Sequence, residues 1–170
     1  MTIKFRQYKN PDDYKRVYSF LIQHYQPDNA DRNWIEPAWE YMHGHPYLDG
    51  SSLEKIGVWE ADEAIVAVAH YESQLGEAFF ELHPDYKHLQ RDMFDYAEKN
   101  LYAISNDGDK FLHAFVNDMD DDFIAWVKAR GYEKNNEESR AMCQFAIPDP
   151  FPAVSLPNGF RLTSLAEDCD

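Results

Sequence analysis

Two periods of hydrophobic position alternate along this chain, and their order predicts a layered α/β domain. Ile3 to Tyr8 reads as a strand. Asn10-Pro11-Asp12-Asp13 has the proline and acids of a helix start, and Tyr14, Val17, Tyr18, Leu21 and Ile22 then recur at helical spacing. A second, less regular helical stretch spans about Arg32 to Met42, with Trp34, Ala38, Trp39 and Met42 on one face, and Gly44, Pro46 and Gly50 end it. Lys55 to Glu72 reads as two strands around Glu60-Ala61-Asp62-Glu63. Ile65 to Ala69 is apolar on both faces, so the second of these strands is expected at the centre of a sheet. Ala78, Phe80 and Leu82 alternate with Phe79 and Glu81 as the next strand. The break His83-Pro84-Asp85 leads into a helix expected to run to Ala103, carrying Leu89, Met93, Tyr96 and Ala97. Phe111 to Val116 forms another strand. Asp120-Asp121-Asp122 caps a helix with Phe123, Trp126 and Val127 inside and Gly131 at its end, and Tyr132 to Lys134 and Ala141 to Ile147 are expected to close the sheet.

Composition narrows the function. A chain of 170 residues is long enough to bury a full core in one domain. Its formal charge of -15 argues against nucleic acid, whose binding rests on clustered Lys and Arg neutralising phosphates, and favours basic substrates. No apolar run approaches the roughly 20 residues of a membrane span, and the N-terminus has no signal-peptide core, so a cytoplasmic location without a membrane partner is expected. Cys143 and Cys169 are too few and too far apart for a disulfide framework or a zinc set. His43-Gly44-His45 with Asp49 lacks the spaced further ligands of a zinc site, and the acidic run 118–122 lacks the glycine turn and terminal Glu of a calcium loop, so no metal is expected. No G-x-S-x-G, H-E-x-x-H or phosphate-binding loop occurs.

One junction carries a resemblance. Leu82-His83-Pro84-Asp85-Tyr86-Lys87 resembles the V-H-P-[DE]-Y-[RK] segment of the GNAT superfamily of N-acetyltransferases, and Ala125-Trp126-Val127-Lys128-Ala129-Arg130-Gly131-Tyr132 resembles its late A-x-x-[LF]-Y-E-K-x-G-F motif. The order of predicted elements over about residues 2–147 is also the GNAT order. The resemblance implies an acyl-CoA N-acyltransferase fold, α/β of the mixed α+β kind, with a central, mostly antiparallel twisted sheet flanked by about four helices. It implies acetyl-CoA as cofactor and a small-molecule amine as acceptor. Two departures matter. The family's R-G-x-G-[IL]-G, whose backbone N–H groups hold the CoA pyrophosphate at a helix start, is replaced by His88-Leu89-Gln90-Arg91-Asp92. The family's tyrosine, a general acid for the departing thiolate, falls on Val127, which has no proton to give.

The site expected from the resemblance is therefore vestigial. Phe80 and Leu82 would offer strand backbone to the cofactor, and Lys87 and Arg91 would attract its phosphates through side chains; solvated surface is the plainer reading of that basic pair. Glu72 and Glu81 are the base candidates of the central strands, with ion pairing or solvent exposure as the plainer alternative. Trp34, Trp39 and Tyr41 lie in the region that lines the acceptor pocket in the family, although core and lid packing would also account for them. Residues 1–147 form the GNAT-like domain in this reading, and 148–159, with Pro148, Pro150, Pro152 and Pro157, form a linker. At 160–170, Phe160-Arg161 and Glu167-Asp168 align onto Phe5-Arg6 and Asp12-Asp13, as the first strand of a second GNAT domain. The expectation is a catalytically degenerate N-terminal domain whose working partner follows Asp170. The rival expectations are a self-contained acetyl-CoA enzyme and a non-enzymatic ligand-binding or partner-binding module.

Overall fold

The structure, a computed structural model, describes residues 2–27, 30–140, 143 and 145–163. Its elements follow in the order β1 (Ile3–Gln7), α1 (Asp12–His24), α2 (Glu36–Gly44), a 3-10 turn (Gly50–Lys55), β2 (Gly57–Ala61), β3 (Ala64–His70) and β4 (Glu77–Leu82). A second 3-10 turn (Pro84–Leu89) then leads to α3 (Gln90–Asn100), β5 (Ala103–Ile104), β6 (Lys110–Phe111), β7 (His113–Ala114) and α4 (Asp121–Ala129). The main sheet runs β1-β2-β3-β4-β7. It is antiparallel through β4, and β7 joins parallel; β5 and β6 pair separately.

The doubly apolar strand is central, as its composition requires. Ile65 to Ala69 is buried throughout because helices cover both faces. On one face Trp39 of α2 meets His70 edge-on at 5.3 Å and Tyr8 at 6.0 Å. On the other, Tyr96 of α3 packs on Trp59 and Phe5, and Phe94 stacks on Phe80. Gly57 lets α3 approach this closely: a Cβ there would stand 2.7 Å from the Tyr96 ring. The β2–β3 hairpin turns on Asp62 and Glu63, both at positive φ, and Arg16 donates to the Glu63 carbonyl at 2.7 Å. Below that turn the buried Asp13 carboxylate takes Arg6 at 2.5 and 2.7 Å and Arg16 at 3.1 Å, while Glu60 takes the same two guanidiniums. This cluster ties α1 to β1 and β2.

Five expectations are corrected. The helix foreseen over Arg32 to Met42 begins only at Glu36, because Arg32 has φ 66° and the polar groups of Asn33 and Trp34 bond to β4 instead of to a helical turn. The helix foreseen from Asp85 to Ala103 is a 3-10 turn followed by α3, because Tyr86 departs from helical geometry and the His83 side chain caps Asp85 N–H. The strand foreseen over Phe111 to Val116 divides at Leu112, with β6 turning back on β5 and β7 joining β4. Tyr132 to Lys134 forms no strand, since the Tyr132 ring packs on Phe94 and its hydroxyl donates to Glu98 at 3.2 Å. Cys143 and Phe145 to Ile147 are not in a strand either, and Ala141, Met142 and Gln144 lie outside the described residues.

From Pro148 to Thr163 the chain has no regular structure, and Phe151, Val154, Phe160 and Leu162 are exposed. The rest of the segment foreseen as a second domain's first strand, 164–170, lies outside the described residues. No helix among the described residues is long and apolar enough to cross a membrane.

Candidate functional site

Strand β4 organises the site because its two backbone edges differ. Odd positions bond to β3, as when His83 N–H donates to the Val66 carbonyl at 2.9 Å. Even positions face the other way, where Phe115 N–H donates to the Ala78 carbonyl at 2.8 Å and β7 then ends at Ala114. Past that point β4 has no paired strand on this side among the described residues, and the Phe80 and Leu82 backbones face the gap. At Leu82 the gap is filled by Asn33. Leu82 N–H donates to Asn33 Oδ1 at 2.7 Å, and Asn33 Nδ2 donates to the Leu82 carbonyl at 3.2 Å. The buried Asn33 carboxamide thus makes the two bonds that an adjacent strand would make.

On the α2 face, Glu81 and His70 form a sealed pair. Glu81 is only 1% exposed and His70 is fully buried. His70 Nδ1 lies 3.0 Å from the Tyr71 carbonyl, which only accepts, so that nitrogen carries a hydrogen. Its Nε2 lies within hydrogen-bond distance of Glu81 Oε1, at 3.0 Å. Glu81 Oε2 accepts Trp34 N–H at 2.6 Å. Trp34 stands edge-on to His70 at 4.6 Å and Phe79 stacks on it at 5.6 Å, so no lone pair of the carboxylate faces open space. Glu72 is placed differently. It receives Arg140 at 2.6 Å, and that guanidinium covers the stacked Phe79 and Phe115 rings.

The turn into α3 faces the start of α4 across a depression of about 370 Å³ lined by Lys87, His88, Gln90, Arg91, Asp120, Asp122 and Phe123. Asp120 dominates it. Its carboxylate, 4% exposed, accepts from Lys87 Nζ at 3.2 Å, Gln90 Nε2 at 3.1 Å and Phe123 N–H at 3.3 Å, and Arg32 approaches to 3.4 Å. Burial pushes this carboxyl up, but the bonds from Gln90, Lys87 and Phe123 outweigh it and hold the group below the usual carboxylate range. Arg91 does not join the cluster; its guanidinium lies 5.5 Å from the Trp126 ring centre.

The structure brings some sequence candidates together and separates others. Phe80, Leu82, Glu81 and Lys87 lie on one continuous run of β4 and the turn that follows it. Trp34 and Trp39 both touch His70, but Trp39 is fully buried and donates to the Tyr14 carbonyl at 3.2 Å. Tyr41 is 61% exposed and packs at a tilt against His45, away from that pair. Val127 is buried against Phe94 and Phe123. The phenol nearest to it in sequence, Tyr132, is engaged by Glu98 and pushed up to about 12, first by burial and then by that carboxylate. His43 bonds the Tyr8 hydroxyl at 3.2 Å and the Trp39 carbonyl at 3.0 Å, and among the described residues no group of three metal-ligating side chains forms. Sequence reasoning missed Asn33 altogether and read Asp120 as a helix cap alone. Nothing local distinguishes Asn33, since its partner lies 49 residues away.

No protein-family model matches the sequence, and no curated protein matches it by sequence at a significant level. Among solved structures, the chain is similar to the ribosomal-protein-S18-alanine N-acetyltransferase from Escherichia coli, at 17% identity and a TM-score of 0.49 over 79% of this chain and 80% of that one. The strand order, with helices covering both faces of a mostly antiparallel sheet, gives the described residues a mixed α/β architecture.

Proposed function

We propose that this domain is the catalytically degenerate, N-terminal half of an acetyl-CoA-dependent N-acetyltransferase, and that its role is to pack against a second GNAT domain following Asp170 and help shape the cleft for a small amine acceptor. The observation that carries the reading is Val127. At the place where the resemblance puts a proton donor, α4 turns a valine into a core of Phe94 and Phe123, and a valine offers the departing thiolate nothing. The turn into α3 supports the same reading. It presents side chains where a phosphate would need open backbone N–H groups, and Asp92 stands in the first helical turn with its charge. The exposed apolar residues of 148–163 suit a linker that meets further protein.

Calorimetric titration of acetyl-CoA into the 170-residue chain tests this. The expected result is no binding tighter than about 1 mM, a free energy weaker than roughly 4 kcal/mol. Micromolar binding overturns the degenerate reading and makes the domain a self-sufficient acyl-CoA protein.

A further inference from the structure

Three consecutive residues, Arg32, Asn33 and Trp34, each engage a different part of the candidate site. Arg32 reaches the start of α4, at 3.4 Å from Asp120 and 3.4 Å from the Met119 carbonyl. Asn33 takes both backbone groups of Leu82. Trp34 gives its N–H to Glu81 and sets its ring edge-on to His70. We propose that this segment is a strap which, together with Asp120, holds the groove along β4 closed by taking over the hydrogen bonds that an extended, phosphate-bearing ligand would make there. The inference rests on the degenerate reading above and adds its physical cause: the groove is occupied by the protein's own groups.

The chemistry of each contact supports the assignment. An amide-containing arm laid along the unpaired edge of β4 would use Leu82 N–H and its carbonyl, and the Asn33 carboxamide is itself an amide that accepts from the first and donates to the second. An anionic head at the turn into α3 would be met by Lys87, Gln90 and Arg32, and the Asp120 carboxylate already collects all three. Asn33 and Asp120 are both nearly inaccessible, so a ligand has to displace them and cannot bind over them. Opening the strap would also free Glu81 Oε2 of the buried His70–Glu81 pair.

The test is a titration of free CoA into the wild-type chain and into Asn33→Ala, Asp120→Asn and the double variant, each first confirmed folded by a cooperative thermal transition. Asn at 120 keeps a helix-capping oxygen while removing the charge, and Asp120→Ser serves as a second capping replacement should the first not fold. The expected result is at least a tenfold gain in affinity in the double variant over wild type, with a smaller gain in each single one. A folded double variant that binds no better than wild type overturns the strap. The wild-type titration alone judges the degenerate reading, and the ratio of variant to wild type alone judges the strap, so failure of one is separable from failure of the other.

Discussion

The first four strands and the last three are held by different means. From β1 to β4 the antiparallel register runs five, five and four residue pairs deep, with helices over both faces. Strands β5, β6 and β7 are two residues each, and β7 adds only Glu77↔His113 and Ala78↔Ala114 to the sheet. In the meander, buried side chains fix the pairing, because a slip by one residue would turn Val66, Val68 and His70 to the wrong face. In the C-terminal strands backbone geometry does this work. Gly76, at φ 103°, donates to the Leu101 carbonyl and accepts from His113 N–H, both at 2.7 Å, and a Cβ there would stand 2.8 Å from the Phe111 ring. The candidate site lies where the strongly specified half stops and where, beyond Ala78↔Ala114, β4 pairs with no further strand among the described residues.

The largest effect is expected inside the meander. Glu81→Ala leaves the His70 Nε2 and the Trp34 N–H without a partner in a sealed pocket, and should cost about 3–5 kcal/mol in urea unfolding. The double replacement His70→Phe with Glu81→Leu removes both polar groups and should recover much of that loss, since apolar residues of similar volume often replace a buried pair at little cost. A double variant as unstable as the single one would mean that the strap, released from Glu81, accounts for the loss.

The same contrast explains what was legible in the sequence. Burial of Ile65 to Ala69 on both faces, the strand at Ala78 to Leu82 and the Asp120 cap were each written in a local pattern of polarity, and each stands in the structure. The late strands were not legible, because pairs held by backbone bonds leave no side-chain period: Leu112 continues the apolar run from Phe111, yet the chain changes partner there. The helix foreseen from Arg32 failed for a similar reason. Its aromatic spacing suited a helix, but the polar groups of residues 32–34 are satisfied by β4 and α4, far away in sequence. The absence of glycine before α3 and the valine at 127 were plain to read. The groups that fill the groove were not, because Asn33 and Asp120 acquire that role only from tertiary position.

A middle-sized effect with a sign in pH is expected at the base of the β2–β3 hairpin. Burial pushes the Asp13 carboxyl up, but bonds from Arg6, Lys9 N–H and Arg16 outweigh that and leave it below its ordinary value; Glu60 is lowered chiefly by Arg6. A carboxyl whose folded value is depressed adds stability that is fully present above its unfolded value and is lost as pH falls through the folded one. Asp13→Asn should therefore cost about 1.5–3 kcal/mol at pH 7, as expected for hydrogen bonds to a charged group. The gap between variant and wild type should narrow steadily as pH drops below the usual carboxylate range. A gap independent of pH would assign the loss to packing around α1 and would remove the ionic argument.

The smallest effect is expected at the far edge of the sheet. His113 lies 2.8 Å from Glu138, but both side chains are about half exposed, and the pair is ionic only when the imidazole is protonated. Solvent screening leaves such a pair worth roughly 0–1 kcal/mol. The attachment of β7 runs instead through the backbone, by His113 N–H to the Gly76 carbonyl and Phe115 N–H to the Ala78 carbonyl. His113→Ala should thus change unfolding stability by less than about 1 kcal/mol, and hydrogen exchange at residues 113 and 115 should stay close to wild type. Exchange at β3 amides should be slower than at these two in both proteins, because β3 is flanked by two full-length neighbours and β7 by one short pairing. A large loss in the alanine variant, or protection of β7 equal to that of β3, would mean that side chains fix this edge as firmly as they fix the meander, and the division between the two halves would have to be given up.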